Sequence, residues 1–560
     1  MIVNEGNLSA HADVCIVGAG PVGLALAFKC ASKGLSVVMI EAGMDNRRGW
    51  QAGPGLLDIV NKHHADPGLI SARGVGGTSR LWGGRCVQLD DIDFEKRAHV
   101  PFSGWPISHH EISKYYDEAL VFLGCRVEEG SSTSPSDPEA RGEITTTVIE
   151  RWSARPRLRE LHGRRLRASE RIKVFTRSVA REIKFDSSGE HVRSIFVERN
   201  GEGVEVRASM FVLACGGLEN VRLLMATQRR RPQKFGGTDG ALGRFYTGHL
   251  TGYVARICFE HRDFAEQFQF QKEGKGSHFR RRLSLSFEAQ VAGEYLNTAF
   301  WPESHSIADP AHGSGALSIA YLGLSSLKIY GPLRRGLAPH SSGANTDIVR
   351  RHWSNVRSDR NLFRNGFAIS GHFLRNRFGT RMYSLVNPQN RYLLRYHAEQ
   401  IPDPSNRVRL TDEPASSPDI PIRVDYSFMP QDADSVVRSH DLLDRWLRQN
   451  KLGYLEYLAP PEDRSALVLN QAVDGYHQIG LTRMSNQRRE GVVDADCRVH
   501  DADNLFVAGS SVFPTAGQAN PTLPAVALAM RLGDHLARQI SHGCTAVGRM
   551  LPGKAHHPVG

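Results

Sequence analysis

The sequence has no closely spaced pair of cysteines. Its eight cysteines are scattered and no two of them form a Cys-x-x-Cys motif; they stand at positions 15, 30, 86, 125, 215, 258, 497 and 544. A disulfide-stabilised scaffold is a short chain dense in cysteine, and a thiolate metal cluster needs short cysteine spacings. The sequence therefore indicates neither, we predict no metal, and free thiols are typical of a reducing compartment.

Long apolar runs are also absent. No stretch reaches the about 20 apolar residues that a membrane-spanning helix needs, and residues 1–13 lack the basic and apolar regions of a secretory signal peptide. We therefore expect a protein without a membrane span, located in the cytoplasm. Export bound to a signal-bearing partner stays open.

Acidic residues are fewer than basic ones. The chain has 70 Lys and Arg against 59 Asp and Glu, a formal net charge of +11, and arginines cluster at 229–231 and 280–282. Such a charge can attract nucleic acid, acidic lipid or an acidic partner. Because these runs lack a nucleic-acid-binding motif and interleaved aromatic residues, we expect solvated arginine faces and no nucleic acid.

The chain is long and its composition is ordinary. Its 560 residues are too many for one hydrophobic core, so two intertwined domains are expected. With 40% hydrophobic and 23% charged residues, the composition excludes a largely disordered or fibrous protein.

The first chemical signal is a glycine motif near the N-terminus. An apolar run over 14–17 predicts a buried parallel strand, which leads directly into Gly18-Ala19-Gly20-Pro21-Val22-Gly23, an amphipathic helix and a second strand. In this spacing Gly18 permits a tight turn, Gly20 lets the backbone approach a pyrophosphate, and Gly23 lets the helix pack closely on the strand. Glu41 ends the second strand, where a carboxylate can accept hydrogen bonds from ribose hydroxyls. The pattern predicts dinucleotide binding.

A second glycine-rich run covers residues 73–84. So many glycines cost conformational entropy on folding, and a flexible surface loop is the alternative reading. Polar and aromatic residues between the glycines favour a backbone that lies against a flat polar surface, such as a flavin ring and its pyrophosphate. The predicted contacts are Gly76, Gly77, Thr78, Ser79, Trp82 and Gly83.

These motifs together resemble the glucose-methanol-choline (GMC) flavoprotein oxidoreductases, particularly the branch of pyranose oxidases and sugar (glycoside 3-) dehydrogenases, in which a GGxSxxW loop follows the first βαβ unit. The resemblance implies FAD and an α/β fold: a discontinuous Rossmann-like FAD-binding domain with a parallel sheet, and an α+β substrate domain with an antiparallel sheet. Some relatives attach their flavin through a histidine directly before the tryptophan. Leu81 stands there, so we predict a non-covalent FAD.

The predicted domains are interleaved along the chain. We assign residues 1–100, 165–250 and 485–545 to the FAD-binding domain, and residues 101–164 and 251–484 to the substrate-binding domain. Residues 128–143, rich in Ser, Pro, Glu and Gly, predict an exposed loop or lid. Residues 250–395 carry no motif, and we expect them to face the substrate and hold the specificity.

A second strand, glycine pair and helix cover residues 211–224. Taken alone, this pattern is equally compatible with ordinary α/β structure. The family resemblance implies that the segment passes the adenosine side of FAD at Gly216, and that the backbone of Val179 touches the adenine.

The C-terminal part carries the predicted chemistry. Residues 477–484 match the family's HxxGTxxM segment, with Leu481 in place of the usual threonine. A buried strand over 504–508 then leads to Gly509 and Ser510. Many relatives have aspartate at the position of Gly509, so here we expect backbone amides to serve the ribityl-pyrophosphate region.

Asn520-Pro521-Thr522 predicts the start of a long helix. Asparagine is a good N-cap and proline suits the first helical position, so we expect the helix to begin at Asn520. Its positive end, with Pro521 and Thr522 in the first turn, can stabilise the negative charge of a reduced flavin.

Alcohol oxidation by FAD requires loss of the hydroxyl proton and transfer of the carbon-bound hydride to flavin N5. A neutral histidine, with an ordinary pKa of about 6.5, can take that proton, and His477 is our predicted general base. Asn520 stands where relatives have histidine or asparagine, and we expect its amide to hold the same alcohol oxygen. A buried structural histidine is the alternative for His477 taken alone. His249 is expected to be structural. Gln400 is expected to be solvated, with a role near the substrate as the alternative.

The sequence therefore predicts an FAD-dependent oxidoreductase that converts a secondary hydroxyl of a sugar or glycoside to a ketone. Oxidation of a non-sugar alcohol or sterol is an alternative, as is a non-redox lyase, because the family includes hydroxynitrile lyases with a structural FAD. A third alternative is a non-catalytic FAD-binding subunit. The electron acceptor, O2 or another redox partner, and assembly into a homo-oligomer are left open.

Overall fold

The computed structural model describes residues 2–3, 11–45, 51–52, 57–60, 62–125, 142–273, 277–326, 345–367, 369, 387, 389–411 and 420–548. The strands are β1 Ile2–Val3, β2 His11–Val17, β3 Val37–Ile40, β4 Gln51–Ala52, β5 Leu57–Ile59, β6 Ala72–Arg73, β7 Arg85–Cys86, β8 Ile144–Trp152, β9 Ile172–Phe175, β10 Ser178–Phe185, β11 Val192–Arg199, β12 Glu202–Leu213, β13 His249–Phe259, β14 Gln271–Glu273, β15 Ser277–Leu285, β16 Thr298–Glu303, β17 Arg391–Glu399, β18 Arg407–Leu410, β19 Ile422–Asp425, β20 Gly453–Tyr457 and β21 Leu505–Val507. The α-helices are α1 Pro21–Ser32, α2 Pro67–Ile70, α3 His109–Ser113, α4 Tyr116–Phe122, α5 Leu158–Ala168, α6 Gly217–Arg230, α7 Arg262–Glu266, α8 Phe287–Gly293, α9 Gly315–Ser326, α10 Asn345–Ser358, α11 Pro430–Gln449, α12 Arg464–Gln471 and α13 Thr522–Gly548.

One sheet is built around a parallel core. Its order is β1-β9-β3-β2-β12-β11-β10, with β21 also paired to β12. Strands β1, β9, β3, β2, β12 and β21 run parallel to their neighbours, whereas β11 and β10 continue the sheet antiparallel. The predicted parallel sheet with its βαβ unit is therefore confirmed.

The βαβ unit forms because both strands and one face of the helix are apolar. Val14, Ile16 and Leu24 are completely buried, as two-sided burial of a parallel sheet requires. α1 ends at Ser32 with Lys33 as its C-cap, and Gly34 takes a left-handed φ of +89° that a residue with a side chain would adopt only at a cost. α1 packs against the C-terminal helix α13, which brings the two ends of the chain together.

A second sheet is antiparallel. Its order is β20-β13-β17-β16-β15-β8-β7, with β14 also paired to β15. All of these pairs are antiparallel, which confirms the predicted antiparallel sheet of the substrate region. A three-stranded sheet of β18, β19 and β5 lies apart from both. The domain borders predicted from the sequence remain a proposal.

Several elements differ from the sequence-based expectation. The apolar spacing of residues 109–123 predicts one amphipathic helix, but the structure has two, α3 and α4. Tyr115, between them, donates its hydroxyl to Asp534, whereas the hydroxyl of Tyr116, at the start of α4, accepts from the Leu89 amide. The pattern of residues 171–179 predicts one strand, but the structure interrupts it after Phe175, because Arg177 has a left-handed φ of +53°.

Other expectations about elements have clear outcomes. The apolar spacing of residues 432–451 predicts an amphipathic helix, which is present as α11 within two residues at each end. The loop predicted over 128–143 lies almost entirely outside the described residues. Within the described ranges, no helix combines the length and the apolar character that crossing a membrane would take.

Candidate active site

The glycine motif after β2 makes a close-packed turn that ends at the start of α1. Gly18 has a φ of +104°, and a Cβ added there would lie 2.4 Å from the backbone oxygen of Ala214. A Cβ at Gly23 would lie 2.1 Å from the oxygen of Gly18, so this glycine serves the contact between helix and turn. At Gly20, by contrast, a Cβ would meet no atom within 4 Å, although the backbone is extended with a φ of −74°. The open space at Gly20 belongs to a large cavity.

This cavity has a volume of about 590 Å³ and is bordered by strands and helices of the first sheet. Most of the residues predicted to bind the cofactor line it: Gly18, Gly20, Glu41, Gly77, Thr78, Val179, Gly216, Gly509, Ser510, Pro521 and Thr522. His477 lines the same cavity, next to Tyr476 and Gln478. The structure thus brings together residues that are up to 504 positions apart in the sequence.

The remaining predicted contacts do not line the cavity. They are Gly23, Gly76, Ser79, Trp82 and Gly83. The last four hold the glycine-rich loop against residues 152–159: Ser79 accepts from the Leu158 amide at 3.2 Å, Trp82 Nε1 donates to the Pro156 oxygen at 2.7 Å, and a Cβ at Gly83 would lie 3.1 Å from the Trp152 ring. The side chain of Leu81 is a hydrocarbon and cannot bond covalently to a flavin. Non-covalent binding of FAD remains our prediction.

Three helices begin at this cavity. Gly20 precedes α1, Gly216 precedes α6, and Pro521 precedes α13, and each of these residues is part of the lining. A helix N-terminus presents unpaired N–H groups and a partial positive charge. The cavity can therefore hold a ligand with two or more negative charges, such as a pyrophosphate.

Glu41 lies at the wall of the cavity with its carboxylate held by backbone amides. Oε2 accepts from Ala19 N at 2.9 Å, and Oε1 accepts from Gly43 N and Gly74 N at 2.8 Å each. An ionised carboxylate offers about four lone-pair sites, so one remains for a ligand hydroxyl. The residues around the cavity thus fit FAD: room at Gly20, a carboxylate for a ribose, and helix N-termini for the pyrophosphate.

His477 is held by the aspartate three residues before it. Oδ1 of Asp474 accepts the N–H groups of Gly475, Tyr476 and His477, at 2.7, 2.9 and 3.2 Å, which fixes the turn. Oδ2 accepts from His477 Nδ1 at 2.8 Å and from the backbone N–H of His249 at 2.7 Å. The imidazole of His477 therefore carries its proton on Nδ1 and presents Nε2 as a lone pair.

The lone pair of His477 faces Asn520. The amide nitrogen Nδ2 of Asn520 lies 3.2 Å from His477 Nε2, and its oxygen Oδ1 is buried without a hydrogen-bond partner. The structure corrects one expectation here: α13 begins at Thr522, and the first helical bond runs from Ala525 N to the oxygen of Pro521. Asn520 is thus not the N-cap, because its side chain is turned toward His477 instead.

Two further histidines adjoin His477. Nδ1 of His249 lies 3.0 Å from Nδ1 of His477, and the His397 ring stacks on the His249 ring with centroids 4.2 Å apart. His397 Nδ1 donates to the Gln518 oxygen at 2.8 Å. The sequence alone did not indicate that His249 lies against His477 and His397. Gln400, which was expected to be solvated, is buried, and its side-chain oxygen accepts from Gly248 N and Tyr426 Oη.

Charge in this cluster is concentrated on Asp474. Burial alone would raise the pKa of Asp474, but the attraction of His477 and hydrogen bonds from both histidines hold it well below its ordinary value. Burial lowers the pKa of His249, and burial together with the two neighbouring histidines lowers the pKa of His397 well below its ordinary value. The cluster therefore combines one anionic carboxylate with two imidazoles, those of His249 and His397, whose neutral form is favoured.

Ligand nitrogens of His249, His397 and His477 lie within 4.8 Å of one another, a spacing that could also hold a metal ion. The hydrogen bonds of this cluster account for the same geometry: Nδ1 of His397 is engaged by a carbonyl, and Nδ1 of His477 by Asp474. We therefore interpret the cluster as a proton-accepting site.

Sequence reasoning missed Asp474 and His397. The short spacing Asp474-Gly475-Tyr476-His477 is a signal that could have identified the aspartate, because a side chain at the start of a turn commonly accepts the following amides. His397 lies in β17 without any motif, and its place beside His249 follows only from the pairing of β17 with β13. Leu481 is buried, and the hydroxyl of the next residue, Thr482, bonds to Ser511 Oγ at 2.8 Å.

Comparison with known proteins identifies both parts of this site. A model of the GMC oxidoreductase family matches residues 402–529, which include His477 and Asn520, and a model of the FAD binding domain matches residues 13–72. A 2-methyl-1,2-propanediol dehydrogenase of Mycolicibacterium austroafricanum is 23% identical over 597 residues, covering 94% of this chain and 96% of the relative. A C-glycoside 3-oxidase of Arthrobacter globiformis is 38% identical over 106 residues, which cover 19% of this chain and 20% of the relative.

Solved structures share the fold. The crystal structure of pyridoxine 4-oxidase from Mesorbium loti superposes with a TM-score of 0.52 at 17% identity, covering 95% of this chain and 99% of that one. At this identity the likeness concerns the fold alone, and it extends over nearly the whole length of both chains.

Proposed function

Because the chain belongs to the GMC oxidoreductase family and is an FAD-dependent enzyme acting on CH–OH groups, we propose that it oxidises a secondary ring hydroxyl of a sugar or glycoside to a ketone. One observation supports the proposal above all: His477 Nε2 and the amide of Asn520 lie 3.2 Å apart beside the cavity that fits FAD. The C-glycoside 3-oxidase similarity supports a glycoside as the substrate, because it is the most identical stretch among the relatives named above.

The cofactor would be held by the cavity walls. Gly18, Gly20 and the start of α1 would hold the pyrophosphate, Glu41 would accept from a ribose hydroxyl, and Val179 and Gly216 would lie at the adenosine end; all of these residues line the cavity. FAD, when bound, supplies the two-electron oxidant for the alcohol carbon. The residues of the chain must therefore bind the alcohol, orient it and accept its hydroxyl proton.

The proton of the alcohol goes to His477 Nε2. Nδ1–H is already engaged by Asp474, so Nε2 has its lone pair free for the substrate hydroxyl. When His477 becomes an imidazolium, Asp474 stays ionised and stabilises the new positive charge, since its pKa lies well below the ordinary value. A positioned general base of this kind contributes about 10²–10⁴-fold to the rate.

Asn520 orients the same oxygen. Its Nδ2 group, which faces His477 Nε2 in the structure, would donate to the alcohol oxygen once the substrate lies between the two side chains. Its Oδ1 is buried without a partner and can accept from a second hydroxyl of the substrate. A sugar ring has neighbouring hydroxyls and meets this need, whereas a simple alcohol leaves Oδ1 unpaired.

An anaerobic panel of sugars, glycosides, simple alcohols and sterols tests the proposal. We expect a sugar or glycoside to bleach the absorbance of the oxidised flavin, and the ketone product to be identified by mass spectrometry. Bleaching by non-sugar alcohols alone would replace the sugar substrate with the alternative alcohol. Absence of bleaching by every compound would favour a lyase or a non-catalytic FAD-binding subunit.

The variant His477→Ala tests the role of the base in the same assay. We expect flavin content to be retained and the rate of bleaching to fall by about 10²–10⁴-fold. Full activity of this variant with FAD bound would reject His477 as the base. Repeating turnover with O2 and with an artificial acceptor distinguishes an oxidase from a dehydrogenase.

A further inference from the structure

A helical insertion separates two adjacent strands of the antiparallel sheet. β16 ends at Glu303 and β17 begins at Arg391, and the chain between them contains α9, α10 and a helical stretch at residues 362–367. Residues 345–367 form the surface of interest here, which we call the insertion surface.

One side of the insertion is anchored by buried polar groups. His352 Nε2 bonds to the Ala308 oxygen at 3.2 Å and its Nδ1 lies 3.0 Å from Ser318 Oγ. Asn355 Nδ2 donates to the Pro310 oxygen at 2.8 Å, and Asp359 Oδ2 accepts from Gly315 N at 3.0 Å. These contacts determine which side of α10 faces the protein, so the opposite side is turned outward.

The outward side carries large apolar side chains. Phe363 is 82% exposed, Phe367 81% and Trp353 50%, and Val349 is exposed on the same helix as Trp353. Val349 and Trp353 are four residues apart, as are Phe363 and Phe367, so each pair lies on one face of its helix. Isolated exposed apolar residues are common in soluble proteins, but exposed apolar pairs on successive helices, three of whose four members are aromatic, mark a contact surface.

Arginines surround these apolar residues. Residues 345–367 contain five arginines and two aspartates, with no lysine or glutamate. All five arginines, at positions 350, 351, 357, 360 and 364, are exposed. Of the two aspartates, Asp359 is buried in the anchor, and Asp347 lies 3.7 Å from Arg350. The exposed charge of the insertion surface is therefore almost entirely positive.

We propose that the insertion surface docks on an anionic phospholipid bilayer. Phenylalanine and tryptophan on one face of a helix enter the boundary between headgroups and acyl chains, while arginines pair with lipid phosphates and keep their charges in water. Exposed aromatic residues interspersed with exposed arginines along residues 349–367 complement an anionic interface. We prefer a bilayer to a protein partner because the surface combines exposed aromatic rings with an almost entirely positive exposed charge, the two features that favour binding to anionic lipid.

The insertion joins β17 at the end of the strand that is remote from His397. Arg391, where the insertion ends, is six residues along β17 from His397, which corresponds to about 20 Å of extended strand. Vesicle binding and substrate oxidation can therefore be measured separately, and the docking proposal does not depend on the proposed substrate.

Flotation of the FAD-loaded enzyme with vesicles tests the proposal. We expect binding to vesicles of 30% phosphatidylglycerol in phosphatidylcholine at 100 mM NaCl, and weak binding to pure phosphatidylcholine vesicles. Phe363→Ser/Phe367→Ser should lower the partition coefficient by about tenfold or more, because both rings leave the interface. Arg360→Glu/Arg364→Glu should lower it by about tenfold or more, since each arginine near an anionic surface contributes about fivefold.

Matched variants elsewhere on the chain are the controls. Phe287→Ser/Val291→Ser removes another exposed apolar pair with the same four-residue spacing, on α8, and Arg164→Glu/Arg445→Glu makes the same change in net charge at exposed arginines. Both should bind vesicles like the unmodified enzyme. Equal binding to the two vesicle types, no binding to either, or binding that the insertion variants leave unchanged would overturn the proposal. Self-association without vesicles that is lost in Phe363→Ser/Phe367→Ser would overturn it in favour of an interface between copies.

Discussion

At the scale of single residues, Asp474 determines what His477 can do. Its Oδ1 accepts three consecutive backbone amides and its Oδ2 accepts from His477 Nδ1 and from the backbone of His249. One carboxylate thus shapes the turn, selects the tautomer of His477, our proposed base, and supplies the negative charge that an imidazolium needs. Its five donors explain why the pKa of so deeply buried a carboxyl is low rather than high.

Replacing this carboxylate by an amide should impair the base without emptying the cofactor site. In Asp474→Asn, Oδ1 can still accept the three amides of the turn, but Nδ2 then donates toward His477 Nδ1. Nδ1 must become the acceptor, the proton moves to Nε2, and the lone pair that faces the substrate is lost. We expect kcat to fall by about 10²-fold or more with flavin content unchanged, measured by steady-state turnover and by absorbance of bound flavin.

The matched control is Asp494→Asn. Asp494 also accepts amides of its own turn, from Asp496 and Arg498 at 2.9 Å each, but it does not line the cavity. We expect this variant to keep its activity. A rate for Asp474→Asn within about threefold of the unmodified enzyme would mean that the tautomer of His477 is not set by this contact.

At the scale of elements, the cofactor cavity is a meeting point of helix N-termini. α1, α6 and α13 come from the N-terminal, middle and C-terminal parts of the chain, yet residues at the start of each line the same cavity. The parallel order of β2, β12 and β21 accounts for this convergence, since their carboxyl ends lie at one edge of the sheet. Each strand delivers a glycine turn to that edge.

Gly20→Ala should separate cofactor binding from folding. The added Cβ meets no atom of the chain within 4 Å, and a φ of −74° suits alanine, so the fold should tolerate the change. The methyl group instead occupies space at the start of α1 where a pyrophosphate must approach. We expect the affinity for FAD to fall by about tenfold or more, while the thermal midpoint of the flavin-free protein stays unchanged.

Two further glycine-to-alanine variants are the controls for Gly20→Ala. Gly366→Ala also adds a Cβ to open space, but away from the cavity, and should bind FAD normally. Gly18→Ala forces a Cβ to within 2.4 Å of the Ala214 oxygen at a φ of +104°, and should reduce the yield of folded protein. If Gly20→Ala retains full FAD affinity, the pyrophosphate does not approach this turn.

Elements with a local signal were predictable from the sequence. Apolar periodicity and the glycine spacing predict a strand, a turn and a helix within residues 11–32. The strand and the helix are confirmed. The start of α13 was wrong by two residues because the good N-cap residue Asn520 is drawn to His477, a contact across 43 positions. The local preference of asparagine for the N-cap position is overridden where a tertiary hydrogen bond uses the same side chain.

At the scale of the whole molecule, the histidine cluster lies where segments of the two sheets come together. His249 begins β13 and His397 lies in β17 of the antiparallel sheet, whereas His477 and Asn520 come from segments next to the cofactor cavity. No sequence pattern links positions 249, 397 and 477, so the cluster could not be predicted. The insertion between β16 and β17 escaped prediction for a related reason, since its anchor consists of single polar contacts without periodicity.

Buried neutral histidines should make the whole molecule sensitive to acid. His440 of α11 is fully buried, and burial lowers its pKa to about 4, although Nδ1 donates to the Val436 oxygen at 2.7 Å; Asp441 raises and Arg464 lowers that pKa by smaller amounts. Burial and two neighbouring histidines likewise lower the pKa of His312 in the insertion to about 4. In the unfolded chain a histidine has a pKa of about 6.5.

The sign of the pH effect follows from these values. Between pH 6.5 and about 4 the unfolded chain binds the proton and the folded protein does not, so stability falls as the pH decreases through this range. At pH 5 each such histidine costs about 2 kcal/mol relative to pH 7.5. His440→Asn keeps a donor for the Val436 oxygen and cannot titrate, so its loss of stability on acidification should be smaller by about that amount. Chemical denaturation at the two pH values measures this difference, and carboxylates common to both proteins cancel. His110→Asn, at an exposed position, should behave like the unmodified protein. An equal acid effect in His440→Asn and the unmodified protein would mean that His440 is already protonated in the folded state.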